Sequence, residues 1–152
     1  MTTTNTDWLR LLRAPGYTPA VAIFVLSRRV RYVDTDQYQA AHHSRVYLWF
    51  EEARTELLRE LGKPYQEFED EGLFFPVREA GCRYRGLARF DDLLSVGIES
   101  VDLRGASLRF DYVVSAGKRP VADGFTVHAC VTREGKVIRV PDAVRRLFQP
   151  PS

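Results

Sequence analysis

The chain has 152 residues, of which 45% are hydrophobic and 28% charged, with a formal net charge of +2. That length suffices for one domain with a real core that needs neither disulfide staples nor a structural metal. The charge is too nearly balanced to signal a nucleic-acid or membrane-surface partner.

Met1 to Asn5 make a polar, Thr-rich start, and Asp7-Trp-Leu-Arg-Leu-Leu-Arg13 has the pattern of a short amphipathic helix stopped by Pro15-Gly16. Residues 1–20 are expected to be an N-terminal extension of a single domain spanning 1–152. The apolar run Ala20 to Leu26 is too short to cross a bilayer, and it lies too far in, behind an Asp-containing, Arg-poor start, for a signal peptide. The expected location is the cytoplasm, with no membrane span.

Ile23 to Tyr32 is mainly β-branched, aromatic or Arg and predicts the first strand. It ends at the acidic turn Asp34-Thr35-Asp36, followed by His42 and His43. From Ser44 to Leu61 the residues Val46, Phe50, Ala53, Leu57 and Leu61 recur at intervals of four, three, four and four, one face of an α-helix that Trp49 and Leu58 widen. Ser44 is the expected N-cap, and Gly62 and Pro64 supply the stop. At about 1.5 Å per residue this helix is some 27 Å long and broad enough on its apolar side to be wrapped by a sheet.

A second helical piece is expected from Pro64 to Glu71, ended by Gly72. Beyond it the pattern alternates, predicting strands over Leu73 to Tyr84, Leu93 to Leu103, Ala106 to Ser115 and Val121 to Arg133. In the third of these Leu108, Phe110, Tyr112 and Val114 share one face; in the fourth Phe125, Val127, Ala129 and Val131 alternate with Thr126, His128, Cys130 and Thr132. The short joins at Arg104-Gly105, Ala116-Gly117-Lys118 and Glu134-Gly135 imply antiparallel hairpins. The tail from Pro141, within 141–152, is expected to close with a helical turn. The order predicts an α+β two-layer domain, an antiparallel sheet of about five strands against one long helix.

A carboxylate in a turn beside a helix start suits chemistry that builds negative charge, because the first backbone N–H groups of a helix are free and carry the positive end of its dipole. An isolated Asp-Thr-Asp is ordinarily a turn or cap. Here, though, the run Tyr32-Val-Asp-Thr-Asp36, then His43, Tyr47-Leu48 and Phe50-Glu-Glu-Ala-Arg-Thr55, resembles the signature of the 4-hydroxybenzoyl-CoA thioesterase family of hotdog proteins, and most of all its YbgC-like acyl-CoA thioesterase branch. The likeness continues through Phe75-Pro-Val-Arg78, Tyr84, Ala88 and Phe90-Asp-Asp-Leu93.

That resemblance implies a hotdog fold, hydrolysis of acyl-CoA, and a catalytic carboxylate at Asp36, acting as general base or nucleophile. A backbone N–H near His43 is the expected oxyanion donor, and the His43 side chain is a candidate second catalytic group. Asp34 is expected to close the turn, while Tyr38, His42 and Tyr47 are candidates to line the substrate pocket. Arg83 and Arg85, with Arg89, are candidates for the CoA phosphates, although a solvated strand face is an equal reading. Glu51 and Arg54 are expected to pair with each other or across subunits; since some hotdog thioesterases use a helix glutamate, Glu51 and Glu52 are reserve carboxylates.

No cofactor or metal is expected, because the acids and histidines form no recognised ligand set. Cys82 and Cys130 lie far apart without metal-ligand spacing and are expected to be reduced. Arginine exceeds lysine along the whole chain, which reads as composition and not as a phosphate site. The resemblance implies edge-to-edge subunit pairing into a homodimer or homotetramer. Two alternatives stand beside acyl-CoA hydrolysis: release from an acyl-carrier protein, and a non-catalytic acyl-CoA-binding role. One departure matters, for Tyr38-Gln39 replaces a glycine pair the family usually carries after the catalytic Asp.

Overall fold

The computed structural model describes residues 22–149. The expected helix at Asp7–Arg13 and the extension that holds it lie outside the described residues. Seven strands and three α-helices follow: β1 Phe24–Arg29, α1 Arg45–Glu60, α2 Tyr65–Asp70, β2 Leu73–Phe74, β3 Val77–Tyr84, β4 Leu93–Arg104, β5 Ser107–Ala116, β6 Arg119–Ala129, β7 Val131–Thr132 and α3 Asp142–Leu147. Five of the strands form one antiparallel sheet in the order β1-β4-β5-β6-β3, and β2 pairs with β7 in a small second sheet. This is the hotdog arrangement, with α1 as the wrapped helix.

The interval pattern of α1 explains its seat. Val46, Trp49, Phe50, Ala53, Leu57 and Leu58 are all buried, and they face Leu94, Val96 and Ile98 of β4 and Leu108, Phe110, Tyr112 and Val114 of β5. Each such large side chain removed from water contributes roughly 1.5–3 kcal/mol. At the centre Phe50 stacks on Tyr112 with ring centroids 4.2 Å apart and planes 8° from parallel. Gly124 of β6 makes this approach feasible, since a Cβ there would come within 2.9 Å of the Phe50 ring and 2.4 Å of the Gly81 carbonyl oxygen.

Three expectations need correction. The strand predicted over Leu73 to Tyr84 is two strands in two sheets, broken at Phe75-Pro76, where the Pro76 carbonyl accepts from the Ala129 N–H at 3.1 Å. Ser44 does not cap α1 with its side chain; it already has helical angles (φ −65°, ψ −22°), and the helix start is drawn back to His42. The strand predicted over Val121 to Arg133 is likewise two, β6 ending at Ala129 and Val131–Thr132 forming β7 in the other sheet; on β6 the more polar set is the buried one, with Thr126, His128 and, just past the strand, Cys130 buried while Phe125 and Val127 are only half-buried.

Hydrogen bonds make that inversion tolerable. The Tyr112 hydroxyl meets Thr126 Oγ1 at 2.7 Å, Thr126 Oγ1 meets His128 Nε2 at 2.8 Å, and His128 Nδ1 meets the Phe75 carbonyl oxygen at 2.9 Å. Burial holds His128 neutral, its pKa pushed down to about 4. Both cysteines are free thiols. No helix among the described residues is long and apolar enough to cross a membrane.

Candidate active site

β1 ends at Arg29 and the chain turns through one 3-10 turn, Tyr32–Asp34, before folding back on itself. Thr35 bridges Ala41, the Asp36 N–H donates to the Ala40 carbonyl at 3.0 Å, and the His42 N–H donates to the Asp34 carbonyl at 2.8 Å. The eight residues from Asp36 to His43 thus form a closed loop that delivers the chain straight into α1. Its outer side is tied down by the Ala41 N–H donating to Ala88 at 2.7 Å and a bridge between Ala40 and Arg89.

Asp34 and Asp36 face opposite ways. Asp34 is 1% exposed; its Oδ2 accepts the Arg31 N–H at 2.8 Å, with Arg28 at 3.9 Å from Oδ2 and Arg45 at 3.8 Å from Oδ1. It fastens the turn and the first turn of α1 from beneath. Asp36 is exposed, with Oδ1 accepting the Tyr38 N–H at 2.9 Å, an Asx turn that orients the carboxylate.

Asp36 lines a cleft of about 240 Å³ together with Tyr38, His43, Tyr84, Leu87 and Trp49. On its far wall the Tyr84 hydroxyl donates to the His43 carbonyl at 2.8 Å, and the His43 ring meets the Tyr84 ring edge-on at 6.4 Å. The start of α1 is therefore held from β3. His42 acts as its cap: the Ser44 N–H approaches His42 Nδ1 at 3.3 Å and Ser44 Oγ lies 2.8 Å from the same atom. The Arg45 N–H donates to the His42 carbonyl at 2.9 Å, whereas no described group accepts from the His43 N–H. That donor is one of the orphans every helix start leaves.

The loop carrying Leu87 is braced by Arg119, which donates to the Leu87 carbonyl and pairs with Asp92 at 2.7 Å. Of the residues expected at the site, Asp36, Tyr38 and His43 meet in the cleft; His42, Tyr47, Arg83 and Arg85 do not line it. Tyr47 lies beside the Cys82 thiol and Tyr84, where burial and then the hydrogen bond with Cys82 raise its phenol pKa. Arg85 is committed to Asp123, Nε to Oδ1 at 2.6 Å, and that bond raises its pKa. Arg83 is exposed on the edge strand.

Glu51 and Arg54 form no ion pair with each other; both line a second cavity deeper along α1. Tyr84 is the cleft residue least readable from spacing, because 41 residues separate it from the His43 carbonyl it holds. Among the described residues no three His, Cys, Asp or Glu side chains cluster as a metal site would require.

Comparison with known proteins matches residues 18–148 to the thioesterase-like superfamily. A putative esterase of Aquifex aeolicus is 35% identical over 126 residues, covering 83% of this chain and 98% of the relative. The acyl-CoA thioesterase YbgC of Haemophilus influenzae is 33% identical over 122 residues, covering 79% of this chain and 90% of the relative. Among solved structures, a hypothetical protein of Aquifex aeolicus superposes with a TM-score of 0.79 at 33% identity, over 83% of this chain and 99% of that one.

Proposed function

Because the chain belongs to the thioesterase-like superfamily, we propose that it is an acyl-CoA thioesterase in which Asp36 drives cleavage of the thioester and the start of α1 holds the oxyanion. The observation that carries this reading is the shared cleft: the exposed Asp36 carboxylate and the His43 residue at the helix start open on the same space.

Hydrolysis requires that an oxygen nucleophile add to the thioester carbonyl, that the resulting oxyanion be stabilised, and that the CoA thiolate leave. One Asp36 oxygen is engaged by the Tyr38 N–H, leaving Oδ2 for the reaction. As a general base Oδ2 takes a proton from water as that water adds to the carbonyl. As a nucleophile it adds directly, expels the thiolate and leaves a mixed anhydride that water then opens. Both routes pass through a tetrahedral oxyanion, which suits the unengaged His43 N–H at the positive end of α1. Tyr84 contributes by fixing the His43 peptide, and Tyr38, 86% exposed, stands at the mouth where the acyl or pantetheine arm enters.

The assembly that fits this chain is a homodimer or a pair of homodimers. β3 is an edge strand of the main sheet, and the half-exposed Val77 and Tyr84 at its two ends are surface a second copy would cover. Light scattering on the purified chain would return at least twice the monomer mass; a monomer at all concentrations would refute it. Thiol release from a panel of short, long and aryl acyl-CoAs tests the reaction, with the same acyl groups on carrier protein as the competing substrate. Turnover of at least one acyl-CoA is expected, and silence across the panel with tight acyl-CoA binding would leave a binding protein instead.

A further inference from the structure

The second cavity, of about 280 Å³, lies beside the C-terminal half of α1, away from Asp36. Its walls are largely apolar, Leu58, Phe68, Leu108, Phe110 and Val144 among them, and its polar residues are Glu51, Arg54, Thr55, Tyr65 and His128. We propose that it is a binding site for a small monocarboxylate with an apolar body, anchored on the Arg54 guanidinium.

The hydrogen-bond chain beneath Arg54 can run in only one direction. The Phe75 carbonyl oxygen can only accept, so His128 Nδ1 carries the hydrogen at the 2.9 Å contact. In the neutral ring Nε2 must then accept, so the Thr126 hydroxyl donates to it at 2.8 Å, and Thr126 Oγ1 accepts from the Tyr112 hydroxyl at 2.7 Å. The Tyr112 oxygen is left as an acceptor, and the Arg54 guanidinium adjoins it. A neutral phenol oxygen beside the guanidinium does not neutralise it.

No described carboxylate forms an ion pair with the Arg54 guanidinium. A half-buried cation facing apolar walls is costly unless an anion joins it. A carboxylate is the planar anion that two guanidinium N–H groups meet together, and the aliphatic and aromatic walls suit a hydrocarbon body. Glu51 lines the same cavity and also a neighbouring hollow with Leu26 and Glu52, so a second negative charge on the guest is disfavoured. A free monocarboxylate is the product class of the proposed hydrolysis, which would make this a place where product is held. Only that last link rests on the thioesterase reading; the binding does not.

The test is a titration of the full-length protein with octanoate and, separately, octanamide, followed by methyl NMR. Octanoate should give saturable shifts at Leu58, Leu108 and Val144, with none at Val46 and Val121 of the Asp36 cleft. Octanamide should bind about tenfold or more weakly, as should octanoate to Arg54→Met, because a charge-assisted bond is lost. Arg54→Lys should recover part of the affinity, and Asp36→Asn should leave it unchanged whatever happens to hydrolysis. Equal binding of acid and amide by the wild-type protein overturns the assignment even if Arg54→Met does not fold. Shifts confined to Val46 and Val121, or undiminished binding by Arg54→Met, overturn it as well.

Discussion

Gln39 donates its backbone N–H to the Asp36 carbonyl at 2.9 Å while holding a φ of +60°, the left-handed region that glycine enters freely and other residues rarely do. This answers the departure at Tyr38-Gln39. The turn that a glycine pair would make is still made here, with a side chain in place, so Asp36 keeps its presentation to the cleft. Gln39→Gly should relieve that strain, offset in part by a more flexible unfolded chain, for a net gain of up to about 1 kcal/mol. Urea unfolding of the variant measures it, and a loss of stability would mean that the Gln39 side chain makes a contact worth more than the strain.

Asp34 supports the site from inside the protein. Removing its carboxylate leaves Arg28 and Arg45 without their shared anion and orphans the Arg31 N–H. Asp34→Ala should therefore cost about 3 kcal/mol, the range for breaking a buried charge cluster. Asp34→Asn retains an acceptor for Arg31 and should cost less. Chemical denaturation of both variants would show the difference, and equal losses would argue that the charge is immaterial.

His128 makes stability depend on acid. Its pKa is lowered from 6.5 to about 4 in the folded chain. Between those values the unfolded chain binds the proton and the native chain does not, so the contribution is complete above pH 6.5 and is lost as the pH falls towards 4. The total is about 3 kcal/mol. His128→Gln should flatten this part of the stability profile measured by urea unfolding between pH 7.5 and 4.5. An unchanged slope would place the acid sensitivity elsewhere.

The long helix was legible because Val46, Phe50, Ala53 and Leu57 repeat at helical intervals and nothing else in the fold competes for that face. The Asp36 loop was legible for a related reason: a short polar turn between a strand end and a helix start has few ways to close. What spacing could not show is non-local. Cys82 faces Gly124 across the β3–β6 pairing, Arg85 meets Asp123, and Tyr84 reaches His43, all contacts set by the sheet order. The buried face of β6 was not legible because alternation reports polarity, whereas burial also accepts polar side chains whose hydrogen bonds are complete, as those of Thr126 and His128 are.

Tyr84 is predicted to act through the helix start. Tyr84→Phe removes the 2.8 Å bond to the His43 carbonyl and should lower stability by about 1 kcal/mol. Steady-state thiol-release kinetics should show kcat falling with little change in KM, since the peptide it fixes carries the proposed oxyanion donor. A rise in KM alone would reassign Tyr84 to substrate binding.

The role of Asp36 is tested most directly by the turnover of Asp36→Asn with the best acyl-CoA substrate, measured by thiol release alongside acyl-CoA binding. The amide matches the carboxylate in shape and can still accept the Tyr38 N–H, but it can neither take a proton from water nor attack the carbonyl. In this variant kcat should fall about a thousandfold while binding persists. Turnover within tenfold of the unaltered protein would contradict it.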